Sequence, residues 1–316
     1  MYDLIIIGAS AASFSAAIYA ARRHLNFIMI AKEIGGELAL SGKVNNWPGT
    51  IEINGFELAK QMHAHIKSYD VKIEEGLEAK EVKQKGKTHI VIAQDAAGKE
   101  KKFEAKAVLV ASGIHPRELN IPGEKEYKGK GVTYCTVCDG PLFKGKITAT
   151  IGSGNSALES VLMMTNIAKK VYVITKYPNT PETQGGFPKG ESILIKKVKE
   201  LKNVEIVYNC DTKEIKGEEM VKEIVVADKD NGKVRSIETQ GVMVHAGMVP
   251  NSDFIDCVQK NKQKEIEVNL KCETSCPGIF AAGDVTNVPY KQIVIASGQG
   301  VTAALSAIGY LNKFSE

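Results

Sequence analysis

The sequence predicts an α/β protein made of two Rossmann-like, three-layer dinucleotide-binding domains, the second inserted into the first. A strand, a turn of small residues, a helix and a second strand follow one another over 2–31, and the same order returns over 147–175. This repeated unit is typical of parallel sheets that bind dinucleotides. A further apolar strand and turn at 278–284, followed by a helix over 292–311, predict that the chain returns to complete the first domain.

Length and composition limit the classes of function. The chain has 316 residues, 43% of them hydrophobic and 25% charged, with a net charge of +4. That size predicts two domains, and the composition is that of an ordinary globular protein. Basic residues are scattered, so no nucleic acid partner is expected. No apolar run reaches the length of a membrane span, and 1–7 is too short for a signal peptide, so no membrane partner and a cytoplasmic location are expected.

The individual elements and crossings follow from the same pattern. In the first unit we expect strands at Tyr2–Gly8 and Leu25–Ala31 around a helix at Ala9–Arg23, and in the second unit strands at Ile147–Ile151 and Lys170–Thr175 around a helix at Asn155–Ile167. Thr180–Gly190 is rich in turn residues and predicts a loop. The outer domain is expected at 1–114 and 245–316 and the inserted domain at 115–244, because glycine-containing hinges lie near Gly113–Arg117 and Val244–Gly247.

The two strand–helix turns differ in quality. Gly152-Ser153-Gly154-Asn155-Ser156-Ala157 has the G-x-G-x-x-A form, in which backbone N–H groups at a helix start bind a pyrophosphate. In the first turn, Gly8-Ala9-Ser10-Ala11-Ala12, only the first glycine of that pattern is present, so a turn without a nucleotide stays open. Gly283-Asp284 favours a nucleotide there, because its carboxylate could bond the ribityl or diphosphate part of a flavin; an exposed turn aspartate is the alternative.

Two cysteines carry the predicted redox chemistry. Cys135 and Cys138 are separated by two residues, a spacing that can close a small disulfide ring and stabilise one thiolate. Asp139 follows directly and could donate a proton to a leaving thiolate and then take it back. A zinc site would need two more ligands.

The other four cysteines suggest no second centre. Cys272 and Cys276 could in principle complete a zinc site, but no second C-x-x-C spacing exists, so no metal is expected. Six cysteines are too few for a disulfide scaffold in a chain this long. Cys210 and Cys257 are expected to be small apolar fillers.

Several segments together resemble one family. They are Cys135–Gly140, Asn46–Gly49, Gly152–Ala157 and Gly278–Val285 followed by Tyr290–Gln292. In order and spacing they resemble the low-molecular-weight thioredoxin reductases over 2–311. The resemblance implies a homodimer with an FAD domain and an inserted pyridine-nucleotide domain that rotates. It also implies that Cys138 faces the flavin, that Cys135 attacks the disulfide of a thioredoxin-like partner, and that Asp139 is the acid/base.

Cofactor contacts follow from the resemblance by position. For FAD they are Gly8, Ser10, Ala11, Ala12, Gly36, Glu37, Asn46, Val82, Ser112, Gly113, Gly283, Asp284, Lys291, Gln292 and Ile293. For a nicotinamide nucleotide they are Gly152, Ser153, Gly154, Asn155, Ser156 and Lys176. At Glu37 a glutamine is common in the family.

The electron donor is where the sequence departs from the family. NADPH-dependent members carry a histidine and arginines after the second strand of the inserted domain, whereas no arginine occurs here between Arg117 and Arg235. Lys176 and Lys189 supply point charges only, and no acidic residue stands ready to bind the ribose of NADH. NADPH bound through lysines, NADH, and a donor such as ferredoxin all remain open.

Four functions compete. Reduction of a thioredoxin-like disulfide leads. A ferredoxin (flavodoxin)–NAD(P) reductase fits the same two-domain plan but needs no cysteine pair. A dithiol oxidase acting on a small molecule keeps the cysteines without requiring a nicotinamide site. A purely structural or binding role would leave all of these motifs without a purpose.

Overall fold

The computed structural model describes residues 1–41 and 43–314. The outer domain expected from the sequence also includes Gly42, Ser315 and Glu316, which lie outside the described residues. The chain divides into an outer unit, Met1–His115 with Val249–Glu316, and an inserted unit, Pro116–Met248. The chain passes from the inserted unit back to the outer unit between residues 248 and 249, whereas the sequence predicted this boundary between 244 and 245. Val244 ends a core strand, and the next backbone N–H, that of His245, still bonds Ile151 inside the inserted unit.

The regular elements are numbered in chain order. The strands are β1 Tyr2–Ile7, β2 Phe27–Ala31, β3 Lys43–Val44, β4 Ile53–Asn54, β5 Ile73–Glu75, β6 Glu78–Lys85, β7 Thr88–Gln94, β8 Glu100–Val110, β9 Ile114–Pro116, β10 Val132–Thr133, β11 Ile147–Ile151, β12 Lys170–Ile174, β13 Val204–Val207, β14 Cys210–Gly217, β15 Val221–Asp228, β16 Val234–Glu238, β17 Gly241–Val244, β18 Met248–Pro250 and β19 Ile279–Ala281. The α-helices are α1 Ala11–Arg22, α2 Gly36–Leu40, α3 Gly55–Lys67, α4 Thr136–Asp139, α5 Asn155–Met164, α6 Ser192–Lys199 and α7 Ile293–Leu311.

The outer unit is built on a sheet in the order β5-β2-β1-β8-β7-β6, with β19 also paired to β8. β5, β2, β1, β8 and β19 are parallel, whereas β6, β7 and β8 are antiparallel neighbours. The first half of β8 pairs with β7 and its second half with β19. The strand from the predicted chain return therefore enters the first sheet, where its carboxyl end lies beside that of β8.

Helices α1 and α7 cross closely on one face of this sheet. A Cβ at Gly300 would lie 2.0 Å from the Ala12 carbonyl oxygen, so glycine is required for this approach. α7 is long and apolar enough, by length and composition, to cross a membrane, which corrects the expectation that no segment is. Ser297, Thr302 and several glycines interrupt the apolar residues of α7, so the sequence shows no unbroken apolar run of that length. Ala303 and Ala304 are buried in the core on the inner face of the helix.

The inserted unit has a parallel sheet in the order β10-β17-β11-β12-β13 and a separate antiparallel sheet, β14-β15-β16. Its two buried clusters include Ala149 and Val242 in one and Val171 and Met243 in the other. Neighbouring residues on β11, β12 and β17 thus face opposite layers, as expected of a parallel sheet covered on both faces. The predicted α/β class with two Rossmann-like units is confirmed.

Element ends differ from the expectation by a few residues. Helix α1 begins at Ala11 because Ser10 is extended, with φ −145°, and its N–H bonds to Ser13 Oγ at 2.7 Å. β2 begins at Phe27 because His24 has a φ of 54° and ends the preceding turn. Helix α5 stops at Met164, three residues before the predicted end. Within the predicted loop at 180–190, Pro181–Thr183 forms one 3-10 turn.

Candidate active site and cofactor-binding turns

The first glycine turn is closely packed where β1 meets α1. Gly8 has a φ of +118°, and a Cβ there would lie 2.2 Å from the Ala111 carbonyl oxygen. Only glycine fits such a position without strain. The small side chains of Ala11 and Ala12 follow at the start of the 12-residue helix α1, whose first N–H groups have no partner within the helix. The irregular first motif therefore still forms a tight glycine turn at the start of α1.

Ser10 closes one side of this turn. Its hydroxyl donates to the Gly35 carbonyl at 2.7 Å, and the Gly35 N–H donates to the Ala9 carbonyl at 2.6 Å. Gly36, with a φ of +50°, begins α2 beside the Ser10 side chain. The predicted contacts at 8–12 and 36–37 therefore belong to one connected loop pair, and the extended backbone of Ser10 spares it the positive φ that a serine disfavours.

Gly283 and Asp284 lie against the same helix start. A Cβ at Gly283 would lie 3.1 Å from the Ala12 Cβ, and its N–H donates to Gln299 Oε1 at 2.8 Å. Burial raises the pKa of the half-buried Asp284 carboxyl, and the Lys291 ammonium opposes that shift. The Lys291 ammonium itself is held by Glu265 at 2.8 Å and by the Thr286 carbonyl at 2.6 Å. Lys291 is thus positioned by its own unit.

Glu37 is a second half-buried carboxylate in this region. Burial raises its pKa most, and the negative charges of Glu33 and Asp284 raise it further, while His115 lowers it. In the thioredoxin reductases that the sequence resembles, a neutral glutamine is common at this position, whereas this chain has an acidic residue. Its charge adds to that of Asp284 around the first turn.

The remaining predicted FAD contacts fall into separate places in the outer unit. Asn46 Nδ2 donates to Gln292 Oε1 at 2.9 Å, which joins two of them across 246 residues. Ser112 Oγ donates to the Asn251 carbonyl at 2.6 Å, and the Asn251 amide returns a bond of 2.7 Å to the Ser112 carbonyl. The Gly113 carbonyl accepts the Asn251 N–H. Val82 is buried on β6, and its N–H donates to the Phe254 carbonyl. Ile293 packs on the core at the start of α7.

The second glycine turn keeps the regular form in the inserted unit. Gly152 has a φ of +152°, and a Cβ there would lie 2.5 Å from the His245 carbonyl oxygen. Gly154 caps α5, and Asn155 exchanges two hydrogen bonds of 2.8 Å with Glu191. Ser153 is half-buried and Ser156 exposed, so this turn has an open side.

The segment after β12 lacks a fork for a 2′-phosphate. Thr175 is buried and donates its hydroxyl to the Gly186 carbonyl at 2.6 Å, so this side chain holds the loop. Lys176 is exposed, with its ammonium 5.5 Å from the centroid of the Tyr177 ring. The place that would bind the ribose of a nicotinamide nucleotide thus has lysines beside it, Lys176 after β12 and Lys189 next to Gly154, and no arginine occurs between Arg117 and Arg235.

Cys135 and Cys138 form a disulfide at the start of α4, with their Cα atoms 5.3 Å apart. Cys135 is half-buried and Cys138 exposed. The Cys138 N–H donates to Cys135 Sγ at 3.2 Å. In the reduced state this donor would favour a thiolate at Cys135, because hydrogen bonds to the charged form stabilise it.

Asp139 is fixed by a residue that sequence reasoning missed. Thr133 Oγ1 donates to Asp139 Oδ2 at 2.5 Å and also accepts the Cys135 N–H at 3.1 Å. Thr133 lies on β10, six residues before Asp139, so the sheet sets the position of the carboxyl. No motif marks this threonine in the sequence.

A second missed group runs from the redox helix to β17. Thr136 Oγ1 lies 2.6 Å from Ser160 Oγ and 2.9 Å from His245 Nε2. Burial lowers the pKa of His245 to about 4, so the ring is neutral near pH 7. Thr136, which directly follows Cys135, is thereby tied to α5 and to the end of β17. The only sequence signal near this group was that His245 lies in the predicted hinge at Val244–Gly247.

The free cysteines correct one expectation. Cys210 is buried as expected, but Cys257 is exposed and is not a core filler. Cys272 and Cys276 are buried in the outer unit. Among residues 1–41 and 43–314, no three His, Cys, Asp or Glu side chains come together as a metal site.

Comparisons with known proteins fit this arrangement. The family model for pyridine nucleotide-disulphide oxidoreductases matches residues 2–300. The chain belongs to the pyridine nucleotide-disulphide oxidoreductase family. One of the subunits of alkyl hydroperoxide reductase in Escherichia coli is 37% identical over 98% of this chain and 58% of its own length, and NADH dehydrogenase of Bacillus subtilis is 37% identical with the same coverage. The chain thus spans less than two thirds of these relatives.

Solved structures of thioredoxin reductases match nearly the whole chain. Thioredoxin reductase of Lactococcus lactis matches with a TM-score of 0.83 at 27% identity, over 99% of this chain and 100% of that one. The T. acidophilum enzyme matches with a TM-score of 0.79 at 34% identity, over 99% of both chains. A ferredoxin-flavin thioredoxin reductase of Clostridium acetobutylicum gives 0.53 at 29% identity, over 99% and 98%. The resemblance to thioredoxin reductases is confirmed, and membership of this family implies FAD as a cofactor together with a pyridine nucleotide.

Proposed function

We propose that the chain reduces the disulfide of a thioredoxin-like protein through Cys135 and Cys138. The observation that supports this most is the redox disulfide with its neighbouring acid. Cys135 Sγ accepts an N–H, and the Thr133 hydroxyl links the Cys135 backbone to the Asp139 carboxyl. A purely structural disulfide has no need of an adjacent, positioned carboxyl group.

The exchange can be written from these residues. The Cys135 thiolate attacks the partner's disulfide, forms a mixed disulfide and displaces one partner thiolate, which Asp139 protonates. Cys138 then attacks the Cys135 sulfur, re-forms the Cys135–Cys138 bond and releases the second partner thiol. Two electrons leave the dithiol and two enter the partner. Cys135 is half-buried whereas Cys138 is exposed, so a movement that exposes Cys135 would favour its attack on the partner.

The outer unit supplies the binding site for FAD. Gly8, Ser10 and the first N–H groups of α1 would bind its diphosphate, and Asp284 its hydroxyl-bearing chain; the requirement for glycine at 8 and 283 and the half-burial of Asp284 support this fit. The bound flavin stores two electrons between the donor and the Cys135–Cys138 disulfide. A homodimer, as the resemblance implies, is part of this proposal.

For the donor, one second candidate has a specific observation in its favour. No arginine follows β12 before Arg235, Thr175 is engaged with Gly186, and Lys176 is exposed. A bidentate grip on a 2′-phosphate needs a guanidinium, which a lysine cannot replace. The similarity to a protein named ferredoxin-flavin thioredoxin reductase supports a ferredoxin-type donor beside NADH and NADPH.

One experiment separates these possibilities. FAD-loaded protein is titrated anaerobically with NADPH, NADH or reduced ferredoxin while flavin absorbance is followed, and an oxidised thioredoxin is then added. Bleaching followed by reappearance of flavin absorbance and of partner thiols supports disulfide reduction. The Cys135→Ser variant should bleach normally but reduce no partner, with Cys272→Ser as the matched control. Reduction of the partner by Cys135→Ser would refute the assignment, and peroxide formation during aerobic dithiol oxidation would favour an oxidase.

A further inference from the structure

A second pair of cysteines, unrelated to the redox disulfide, meets in the outer unit. Cys257 is exposed and Cys276 is 4% exposed, and the two thiols are close enough to interact with each other. The two segments are also tied together, because the Gln259 N–H donates to Ser275 Oγ at 2.8 Å. Val258 and Cys276 belong to one buried cluster. Their contact is therefore built into the packing of the unit.

We propose that Cys257 and Cys276 form a second dithiol/disulfide centre, in which a hydroperoxide oxidises the pair at Cys257. The site has one open sulfur and one covered sulfur in contact. That is the arrangement in which an attacking thiol has a resolving thiol at hand, as in redox-sensing cysteine pairs.

The surroundings divide the two roles. Burial raises the pKa of Cys276 to about 12, and its interaction with Cys257 acts in the same direction. The proton therefore stays on Cys276, and Cys257, whose side chain is exposed, is the sulfur that a hydroperoxide can reach. Cys276 Sγ also lies 3.8 Å from Gln84 Oε1, which holds this thiol in place within the unit.

The reaction balances with the hydroperoxide as oxidant. The Cys257 thiolate attacks the terminal peroxide oxygen, so an S–O bond forms, the O–O bond breaks and the alcohol leaves with a proton. Cys276 sulfur then attacks the Cys257 sulfur, the S–S bond forms, the S–O bond breaks and water leaves. Two thiols lose two electrons and two protons, and the hydroperoxide becomes an alcohol and water.

Forming the Cys257–Cys276 disulfide requires movement of the Cys257 segment only. The Cys276 N–H donates to Thr274 Oγ1 at 3.2 Å, and its carbonyl accepts the Ile279 N–H at 3.0 Å, so its backbone is fixed beside β19. Cys257 lies in a segment without helix or strand. This segment can shift to bring the two sulfurs to the bonded distance of about 2.05 Å.

The remaining cysteine of the outer unit provides a matched control. Cys272 is 3% exposed, its thiol donates to the Gln299 carbonyl at 3.6 Å, and burial raises its pKa to about 11. It resembles Cys276 in burial and chemistry but faces a carbonyl instead of a thiol. Peroxide should therefore leave Cys272 untouched.

Non-reducing peptide mapping tests the proposal on FAD-loaded protein. The protein is reduced, freed of reductant, exposed to hydrogen peroxide, alkylated and cut with trypsin, which places Cys257 in peptide 236–260 and both Cys272 and Cys276 in 272–291. We expect a cross-link between these peptides in the native chain and in Cys272→Ser. We expect its complete loss in Cys257→Ser and in Cys276→Ser, and in Cys276→Ser a sulfenic acid at residue 257 that dimedone traps.

Several results would overturn the proposal. They are an alkylated, free Cys276 in oxidised native protein, a sulfinic acid at Cys257 without a cross-link, or a cross-link that disappears in Cys272→Ser. Fragmentation of the cross-linked peptides from the native chain assigns the sulfur, so the matter is decided even if a variant fails to fold. Because Cys135 and Cys138 lie in other peptides, the result is independent of the proposed reductase activity.

Discussion

Thr133 Oγ1 donates a hydrogen bond of 2.5 Å to Asp139 Oδ2, and the same oxygen accepts the N–H of Cys135. One hydroxyl thus fixes the proposed acid and one of the two reacting cysteines at once. Thr133 lies at the end of β10 and is only 5% exposed, so its side chain has little freedom to rotate. Asp139 can therefore hold one orientation while the disulfide opens and closes.

Thr133→Val should slow disulfide reduction while leaving the fold intact, because valine keeps the shape but removes both hydrogen bonds. We expect kcat to fall roughly 10-fold, a fraction of what a general acid supplies, with little change in KM for the partner. Thr150→Val is the matched control, since the buried Thr150 hydroxyl on β11 has no partner among the described residues. Equal losses in both variants would make Thr133 merely structural.

More of the fold than of the candidate site could be predicted from the sequence. Repeated strand–turn–helix order predicted both units, because hydrophobic periodicity and glycine positions are local signals. The C-x-x-C-D segment predicted the disulfide for the same reason. Thr133, Ser160 and His245 were missed because their contacts join residues 6 to 109 positions apart, as Thr133–Asp139 and Thr136–His245 show. Single threonines and histidines carry no local pattern that marks such contacts.

Cys257 shows the opposite error. Its sequence surroundings are typical of an apolar filler, yet the residue lies on the surface. The fold brings Cys276 to it from the segment that leads into β19, the strand that returns to the outer sheet. Which thiols meet therefore depends on long-range packing, and spacing alone could not give it.

Acid should destabilise the protein through His245. Its pKa is lowered from 6.5 to about 4 by burial, so the unfolded chain binds a proton first as pH falls below about 6.5. Stability from this group is complete above that pH and is lost on the way down to about pH 4. Between about pH 7.5 and pH 5 the loss is up to about 2 kcal/mol in the free energy of unfolding.

Urea unfolding of the native chain and of His245→Gln at those two pH values measures this effect. Glutamine keeps a polar group near Thr136 but cannot take up a proton, so the variant should lose less stability on acidification. His24→Gln, at a histidine exposed in a surface turn, should behave like the native chain. An identical pH dependence in His245→Gln and native protein would contradict the neutral, buried ring.

Gly8→Ala should weaken FAD binding. The added Cβ would lie 2.2 Å from the Ala111 carbonyl oxygen, and the alanine would have to adopt a φ of +118°, so β1 or β8 must shift at the start of α1. We expect at least a roughly 10-fold higher dissociation constant, equivalent to about 1.4 kcal/mol, measured by flavin fluorescence on reconstitution of apoprotein. Gly298→Ala, on α7 with no atom within 4 Å of its Cβ, is the control and should bind FAD normally. Normal affinity in Gly8→Ala would remove this turn from the site.

Tyr134→Phe should destabilise the inserted unit. The Tyr134 hydroxyl donates to Glu124 Oε1 at 2.7 Å, and Glu124 is fully buried and also accepts the N–H groups of Leu119 and Asn120. Burial and this bond raise the pKa of Tyr134 well above its usual value, so the proton stays in place. Losing a hydrogen bond to a buried carboxylate costs roughly 1.5–3 kcal/mol. Thermal unfolding of Tyr134→Phe against Tyr177→Phe measures it; equal midpoints would show that Glu124 finds another donor.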